Sequence, residues 1–300
     1  MNISETLTKL ILKFKFNKPL RFVCYPIFIL LKILLRFVNW KIKYYNDLFS
    51  NVTGGSLVAK IKDIPGKFEI DARSHILKKI LINKSYEPVI VSIIKANLIP
   101  DKDAVNVGAN IGIYAVLLAS LINMDRKVLA VEPTPLAFRY LTNNFKRNDL
   151  DSKVVLYNGI CTDKKGKYDL NIIEGKEEYS SIGESFHLTK IKEKIVKVKV
   201  EGDTINNLVT FYKLNPGIIV IDVEGSEMKV LKGASDILIQ YKPIIILELV
   251  DDLLKNQESS SKEVIDFLEK SGYIVCDVAS NKKAGYPFSG NIIARPISYL

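Results

Sequence analysis

Ala104-Val105-Asn106-Val107-Gly108-Ala109-Asn110-Ile111-Gly112 decides how this chain is read. A short run suited to a buried strand enters a glycine-bounded turn, and the apolar residues Ile111–Ile122 that follow read as a helix. In a strand, glycine turn, helix arrangement, backbone N–H groups and a helix start can approach a carboxylate or phosphate. The glycine spacing is G-x-x-x-G. It lacks the middle glycine that lets a dinucleotide pyrophosphate approach, which argues against a nicotinamide cofactor and makes an oxidoreductase the weakest functional class.

Outward from this turn, short apolar runs alternate with helical patterns, the sequence form of a mainly parallel sheet covered on both faces. Strands are predicted at Ala104–Val107, Val128–Val131, Val154–Tyr157, Ile218–Asp222, Ile244–Leu249, Ile274–Asp277 and Asn291–Ala294, giving seven. Helices are predicted at Ile111–Ile122, Pro135–Asn148, Ser226–Leu231 and Ser261–Ser271. Alternating residues at Tyr168–Ile173 and Ile195–Val200 predict an extra hairpin. The reading is an open, Rossmann-like α/β domain over residues 99–300, preceded by a connector over 46–98. In the connector Gly54-Gly55 and Pro65-Gly66 mark turns, and His75 to Asn83 and Tyr86 to Ala96 have helical spacing, which would cap the sheet edge.

The 48% hydrophobic content suffices for a proper core. The formal charge of +10 is unevenly placed: residues 1–45 carry nine lysines and arginines against Glu5 alone, or +8, so the main domain is nearly neutral. That distribution gives little reason to expect nucleic-acid binding. Residues 1–45 read as a basic amphipathic helical appendage. The apolar run from Phe22 to Val38 is interrupted and short for a span of ~20 residues. Lys32 and Arg36 would share one helical face, with Phe28, Leu31, Leu35 and Val38 on another and Trp40, Tyr44 and Tyr45 as interfacial anchors. Two readings stay open: a helix lying on an anionic membrane surface, and a helical hairpin packed on the domain. The location expected is cytoplasmic, peripheral on the inner face of the membrane. Cys24, Cys161 and Cys276 are widely spaced and read as reduced thiols, and with only His75 and His187 as histidines no metal site is expected. Both histidines read as ordinary surface or packing residues.

Glu132 lies at the end of the second predicted strand, twenty residues beyond Gly112. An acid there can accept hydrogen bonds from ribose hydroxyls, although it can also simply favour the following helix start. Ile221-Asp222-Val223-Glu224-Gly225-Ser226-Glu227 ends another strand in clustered carboxylates. Ligands of open α/β sheets bind at strand carboxyl ends, so Asp222 and Glu224 are candidates to take a proton from an attacking hydroxyl, with Glu248 a weaker one. Helix capping would explain part of the same pattern.

Taken together, Asn106 to Gly112, Glu132-Pro133, Ser180-Ser181, Ile221 to Gly225 and Pro243 to Glu248 resemble the FkbM family of methyltransferases, over roughly residues 85–277. The resemblance implies a class I S-adenosylmethionine-dependent fold and O-methylation of a glycan, a lipid-linked glycan or another small-molecule acceptor. It implies Asn106, Gly108, Ala109, Asn110 and Gly112 around the cofactor, Gly108 and Asn110 along its methionine part, Glu132 on its ribose, and Asp222 and Glu224 beside the acceptor. The family usually has aspartate where this chain has Asn106, so a negative charge that would favour the sulfonium and ammonium is missing. A non-catalytic binding or scaffold protein retaining the fold is the alternative reading.

Overall fold

The computed structural model describes residues 55–173 and 195–299, the backbone of residues 181–182, and the helical residues Leu30, Ile33, Leu34, Arg36, Phe37 and Trp40. Residues Met1–Thr53 form one unit and Gly54–Leu300 another. The second unit begins with a hairpin, β1 (Ser56–Ala59) and β2 (Phe68–Asp71), and two helices, α1 (His75–Asn83) and α2 (Pro88–Asn97). It continues through β3 (Asp103–Val107), α3 (Ile113–Leu121), β4 (Val128–Val131), α4 (Pro135–Arg147) and β5 (Val154–Tyr157). Then come β6 (Ile160–Cys161), β7 (Gly166–Ile173), β8 (Ser181–Ile182), β9 (Ile195–Asp203) and α5 (Ile205–Phe211). The last stretch is β10 (Pro216–Ile221), α6 (Glu227–Lys232), α7 (Ser235–Gln240), β11 (Ile244–Val250), α8 (Asp251–Asn256), α9 (Ser261–Lys270), β12 (Tyr273–Asp277) and β13 (Ser289–Pro296).

Seven strands form the central sheet in the order β12-β13-β11-β10-β3-β4-β5. The pairs from β11 to β5 are parallel, and β13 runs antiparallel between β11 and β12. All seven are the strands expected from the apolar runs, shifted by a residue or two at their ends. Their residues alternate between two covered faces. Val105, Val107, Leu129, Val131, Ile219, Ile221, Ile245 and Leu247 lie in one buried cluster with Val230, Leu231, Val264 and Leu268 from the helices on that side. The expected hairpin is present as β7 and β9, paired antiparallel with Leu170 opposite Val198, within a four-stranded sheet completed by β6 and β8.

α3 is apolar all round and buried from Ile113 to Ala119, as suits a helix covered on every side. It starts at Ile113 rather than Ile111, because Gly112 (φ 91°) still belongs to the turn. α2 likewise starts at Pro88 rather than Tyr86: the proline lacks an N–H that the first helical turn would leave unpaired anyway. The hairpin β1–β2 and the helices α5, α7 and α8 were not anticipated. Each spans four to seven residues, too few to show a periodic signal.

The connector belongs to the same compact unit as the sheet, and its hairpin packs on α4 while α1 lines the crevice above the sheet. The attachment is polar and specific. Asn144 of α4 accepts from the Glu69 N–H (2.6 Å) and donates to the carbonyls of Ile111 (2.8 Å) and Glu69 (3.1 Å). One turn on, Asn148 accepts from the Lys67 N–H (2.8 Å) and donates to its carbonyl (2.9 Å). Two amides four residues apart thus present a strand-like hydrogen-bonding edge to β2. Asn144 is fully buried and also holds the glycine turn. Replacing Asn144 by Leu should leave these backbone groups unsatisfied and cost about 3 kcal/mol. Urea unfolding of the two proteins measures that difference, and a change within 0.5 kcal/mol, the ordinary range for a surface substitution, would show that the amide is dispensable.

Candidate functional site

The strand order reverses between β3, which continues to β4 on one side, and β10 on its other. Loops leaving these two strands diverge and open a crevice at their carboxyl ends, the usual ligand position in open α/β sheets. Here the strands are pressed together. The Asp222 N–H donates to the Val107 carbonyl (3.0 Å), and a Cβ built on Gly108 would stand 1.8 Å from the Asp222 carbonyl oxygen. Gly108 also has φ +75°, so both contact and conformation demand glycine. Gly112 meets a second limit, since its Cβ would lie 2.7 Å from Leu141 Cδ1 of α4.

Between these glycines the backbone forms a cradle. The N–H groups of Gly108 and Ala109 both donate to the Val131 carbonyl (3.0 and 2.9 Å), and Asn110, at φ 49°, caps the Ile111 N–H with its side chain (2.8 Å). The Asn110 N–H donates to Glu132 Oε2 (2.9 Å). Glu132 Oε1 accepts from the Thr134 N–H (2.8 Å) and hydroxyl (2.6 Å), so this buried carboxylate ties the end of β4 to the glycine turn. Both readings of Glu132 from the sequence are therefore compatible with its position: it holds the start of α4 and lines the crevice.

The crevice encloses about 380 Å³, within the range of small-molecule sites. Gly108, Ala109, Asn110, Glu132, Asp222 and Glu224 all line it, as does Glu248 from β11. Asn106 does not. It is fully buried on the sheet face, with its Nδ2 3.4 Å from the Val220 carbonyl and its Oδ1 without a hydrogen-bond partner. Strand alternation explains this: Val105 and Val107 face one layer, so Asn106 faces the other and stays below the crevice. Gly112 lies behind the lining as the first cap of α3. Ser180 and the Ser181 side chain, His187 and Cys24 lie outside the described residues.

The opposite wall comes from the former connector. His75 and Lys79 of α1, Tyr86, Glu87 and, from α3, Tyr114 line it. The sequence had marked His75 as an ordinary residue and had not singled out the others. Their only signal is the charge of Lys79 and Glu87 beside otherwise apolar helical segments. The Tyr114 hydroxyl donates to Glu87 Oε2 (2.5 Å) and Lys79 Nζ lies 3.2 Å from Glu87 Oε1. Glu87 adopts φ 40°, ψ 62° directly before Pro88, where left-handed backbone is disfavoured for a side-chain-bearing residue.

Carboxylates crowd this space. Burial, then the charges of Glu248, Glu87 and Glu227, holds the Asp222 carboxyl well above the usual carboxylate range. Burial and the Glu87 charge also raise Glu248. Glu227, behind Asp222 at the start of α6, is pushed up to about 7 by burial, although the backbone N–H groups of Glu227, Gly225 and Val223 oppose that rise. Its Oε1 accepts from the Gly225 N–H (3.1 Å) and its Oε2 has no partner. A carboxyl raised on folding stabilises the fold below its unfolded pKa and loses that contribution as pH climbs through the folded one. From an ordinary 4.5 to about 7, Glu227 should therefore cost the fold on the order of 3 kcal/mol. Glu227→Gln should flatten the fall in stability between pH 5 and 8 by that amount in chemical denaturation, and identical pH profiles would remove the assignment.

The match with known proteins follows this geometry. The methyltransferase FkbM domain family matches residues 106–275, from β3 into β12. Comparison with curated proteins gives no match. Among solved structures, the chain is similar to a methyltransferase FkbM from Methylobacillus flagellatus KT, with 17% identity, TM-score 0.42, and coverage of 65% of this chain and 44% of that one. The chain thus spans less than half the length of that relative. It is also similar to a precorrin-6y C5,15-methyltransferase from Geobacter metallireducens GS-15 (14% identity, TM-score 0.39, 70% and 89% covered). A third is M. jannaschii TYW2 in complex with AdoMet (14% identity, TM-score 0.40, 80% and 84% covered). With more than half of its length matched to the family, a central seven-stranded sheet and a crevice at the carboxyl ends of β3 and β10, the chain belongs to the FkbM methyltransferases, which use S-adenosylmethionine.

Proposed function

We propose that this protein methylates a hydroxyl oxygen of a sugar, carried on a glycan or a lipid-linked glycan. The observation that carries the reading is the carboxylate wall of Asp222, Glu224 and Glu248 facing the crevice beside the glycine cradle. Vicinal hydroxyls donate well to carboxylates, and the Tyr86 ring in the same crevice offers an apolar face for the C–H side of a sugar.

The residues present fit the cofactor. Gly108, Ala109 and Asn110 line the crevice at the ends of β3 and β10, and the neighbouring carboxylates suit a ligand with sulfonium and ammonium charges. Gly108, Ala109 and Asn110 would lie along its methionine part and Glu132, fixed by Thr134, against its ribose, with the Gly112 N–H closing the cradle on the Ala109 carbonyl (2.8 Å) and Asn106 buried below it. Bound there, S-adenosylmethionine supplies an electrophilic methyl group. The protein contributes alignment of the acceptor oxygen and removal of its proton, which Asp222 receives as the oxygen–carbon bond forms and the carbon–sulfur bond breaks. Glu224 borders the same oxygen from the left-handed turn after β10.

We also propose that residues 1–45 bring the enzyme to an anionic membrane surface, consistent with a lipid-linked acceptor. Support comes from the net +8 of this segment and from the exposed helical side chains Leu30, Ile33, Leu34, Phe37 and Trp40, whose spacing puts them on one face. The apolar face first expected, Phe28, Leu31, Leu35 and Val38, and Lys32 opposite it lie outside the described residues. No helix among the described residues is long and apolar enough to cross a membrane.

Incubation with methyl-labelled S-adenosylmethionine and a mixture of neutral oligosaccharides and polyprenyl-linked glycans should yield O-methyl sugars detectable by mass spectrometry. Asp222→Asn should lower kcat by about a hundredfold or more with the fold intact. Label appearing only on nitrogen or carbon would overturn the reading. Deleting residues 1–45 should abolish co-sedimentation with phosphatidylserine vesicles, and unchanged sedimentation would remove the membrane role.

A further inference from the structure

The crevice holds more acid than a proton-accepting step needs. Glu87, Asp222 and Glu248 reach it from three different elements: the start of α2, the end of β10 and the end of β11. The cation facing them is Lys79, which lies at the mouth with its side chain 53% exposed and is paired to Glu87. Around the cluster, His75 of α1, Tyr86, Tyr114 of α3, Glu132 after β4, Cys161 of β6, Glu224 of the β10–α6 turn and Glu227 at the start of α6 complete the titratable surroundings. Tyr114 is held well above its usual range by burial and by Glu87, so it stays a hydrogen-bond donor. Cys161 is likewise raised by burial and stays a neutral thiol.

Glu87 is the member whose presence has a cost. Left-handed backbone before a proline persists only where the surroundings enforce it, and here the Tyr114 hydroxyl and Lys79 fix its carboxylate against the crevice. Half-buried carboxyls facing one crevice repel each other when all are ionised, and the relief is to keep a proton on Asp222 or Glu248, the two that burial and their neighbours raise. A ligand with a positive charge removes the need for that proton.

From this arrangement we infer that Glu87, Asp222 and Glu248 form one carboxylate wall in which Asp222 and Glu248 share a proton in the free protein and release it when the cationic sulfonium donor binds. This rests on the reading that the crevice holds the cofactor. Donor binding itself then generates the base: the ionised wall meets the acceptor hydroxyl only once the methyl group is in place. Transfer returns the balance. The hydroxyl proton passes to Asp222, the oxygen–carbon bond forms as the carbon–sulfur bond breaks, and the positive sulfonium becomes a neutral thioether beside a reprotonated wall. The wall thereby discriminates the donor from the spent cofactor by charge. It also supplies negative charge that Asn106, below the crevice, does not.

The test is calorimetric titration of the full-length protein with S-adenosylmethionine and S-adenosylhomocysteine at pH 7. Repetition in phosphate and in Tris, whose ionisation enthalpies differ, counts the protons. Release of about one proton is expected with the sulfonium ligand and close to none with the thioether. The ratio of the two dissociation constants should move about thirtyfold or more in favour of the sulfonium between pH 6 and pH 8.5. The ammonium group titrates in both ligands and cancels in the ratio. Glu248→Gln and Glu87→Gln, each checked by thermal melting, should lower the proton release to less than half and shrink that shift in the ratio, and Asp222→Asn should abolish both. Equal proton release and a flat ratio for two ligands that both bind would overturn the wall while leaving the cofactor site standing. Failure of both ligands to bind the folded protein would overturn the cofactor site itself, and the wall with it.

Discussion

The contact between the Gly108 α-carbon and the Asp222 carbonyl sets the geometry on which the site depends. β3 and β10 are the two strands between which the sheet reverses its order, and the Asp222 N–H holds their ends together through the Val107 carbonyl. With no side chain at Gly108, the strands stay close to their last residues and only then part. The glycine turn and the Asp222 carboxyl therefore face the same small space rather than opposite walls of a wide cleft. Close packing makes this junction intolerant of any added carbon, because backbone on both sides has no rotamer into which to yield.

Around that junction, polar groups that would otherwise be buried without partners are used as ties. Glu132 joins the end of β4 to the cradle and to the start of α4. Asn144 and Asn148 join α4 to β2, and Asn144 joins it again to the carbonyl of Ile111 inside the turn. The same helix thus braces the glycine turn and the hairpin that leads to α1 and α2. Lys79, Tyr86 and Glu87 reach the crevice from the segment that follows this hairpin. The fold couples the position of a charged wall to a set of backbone hydrogen bonds some distance from it.

The charge distribution follows a consistent logic. The net positive charge is concentrated in residues 1–45, whereas the crevice collects carboxylates from several elements. Concentrating like charge in a half-buried space is unfavourable until a cation enters, and the unfavourable part is confined to where the cofactor's sulfonium and ammonium would be held. Glu227 extends the same tension one layer deeper, with its unpartnered oxygen behind Asp222.

The seven strands, the glycine turn and the carboxylates at the end of β10 were legible in the sequence because they are local. Alternation, apolar runs and glycine positions are set by neighbours a few residues apart. Short elements such as α5, α7 and the β1–β2 hairpin were not legible, since four to seven residues show no period. Residues that act across the chain were invisible for a different reason. Glu87 lies 135 positions before Asp222 in the sequence, and their interaction exists only through space. Asn106 illustrates the converse: its motif put it beside the cofactor, while strand alternation turned it under the crevice. The sequence by itself determined which segments could become strands, turns and helices. Only the tertiary structure decided which side chains share one low-dielectric space, because Coulomb interaction and desolvation depend on distance and burial, which no spacing along the chain specifies.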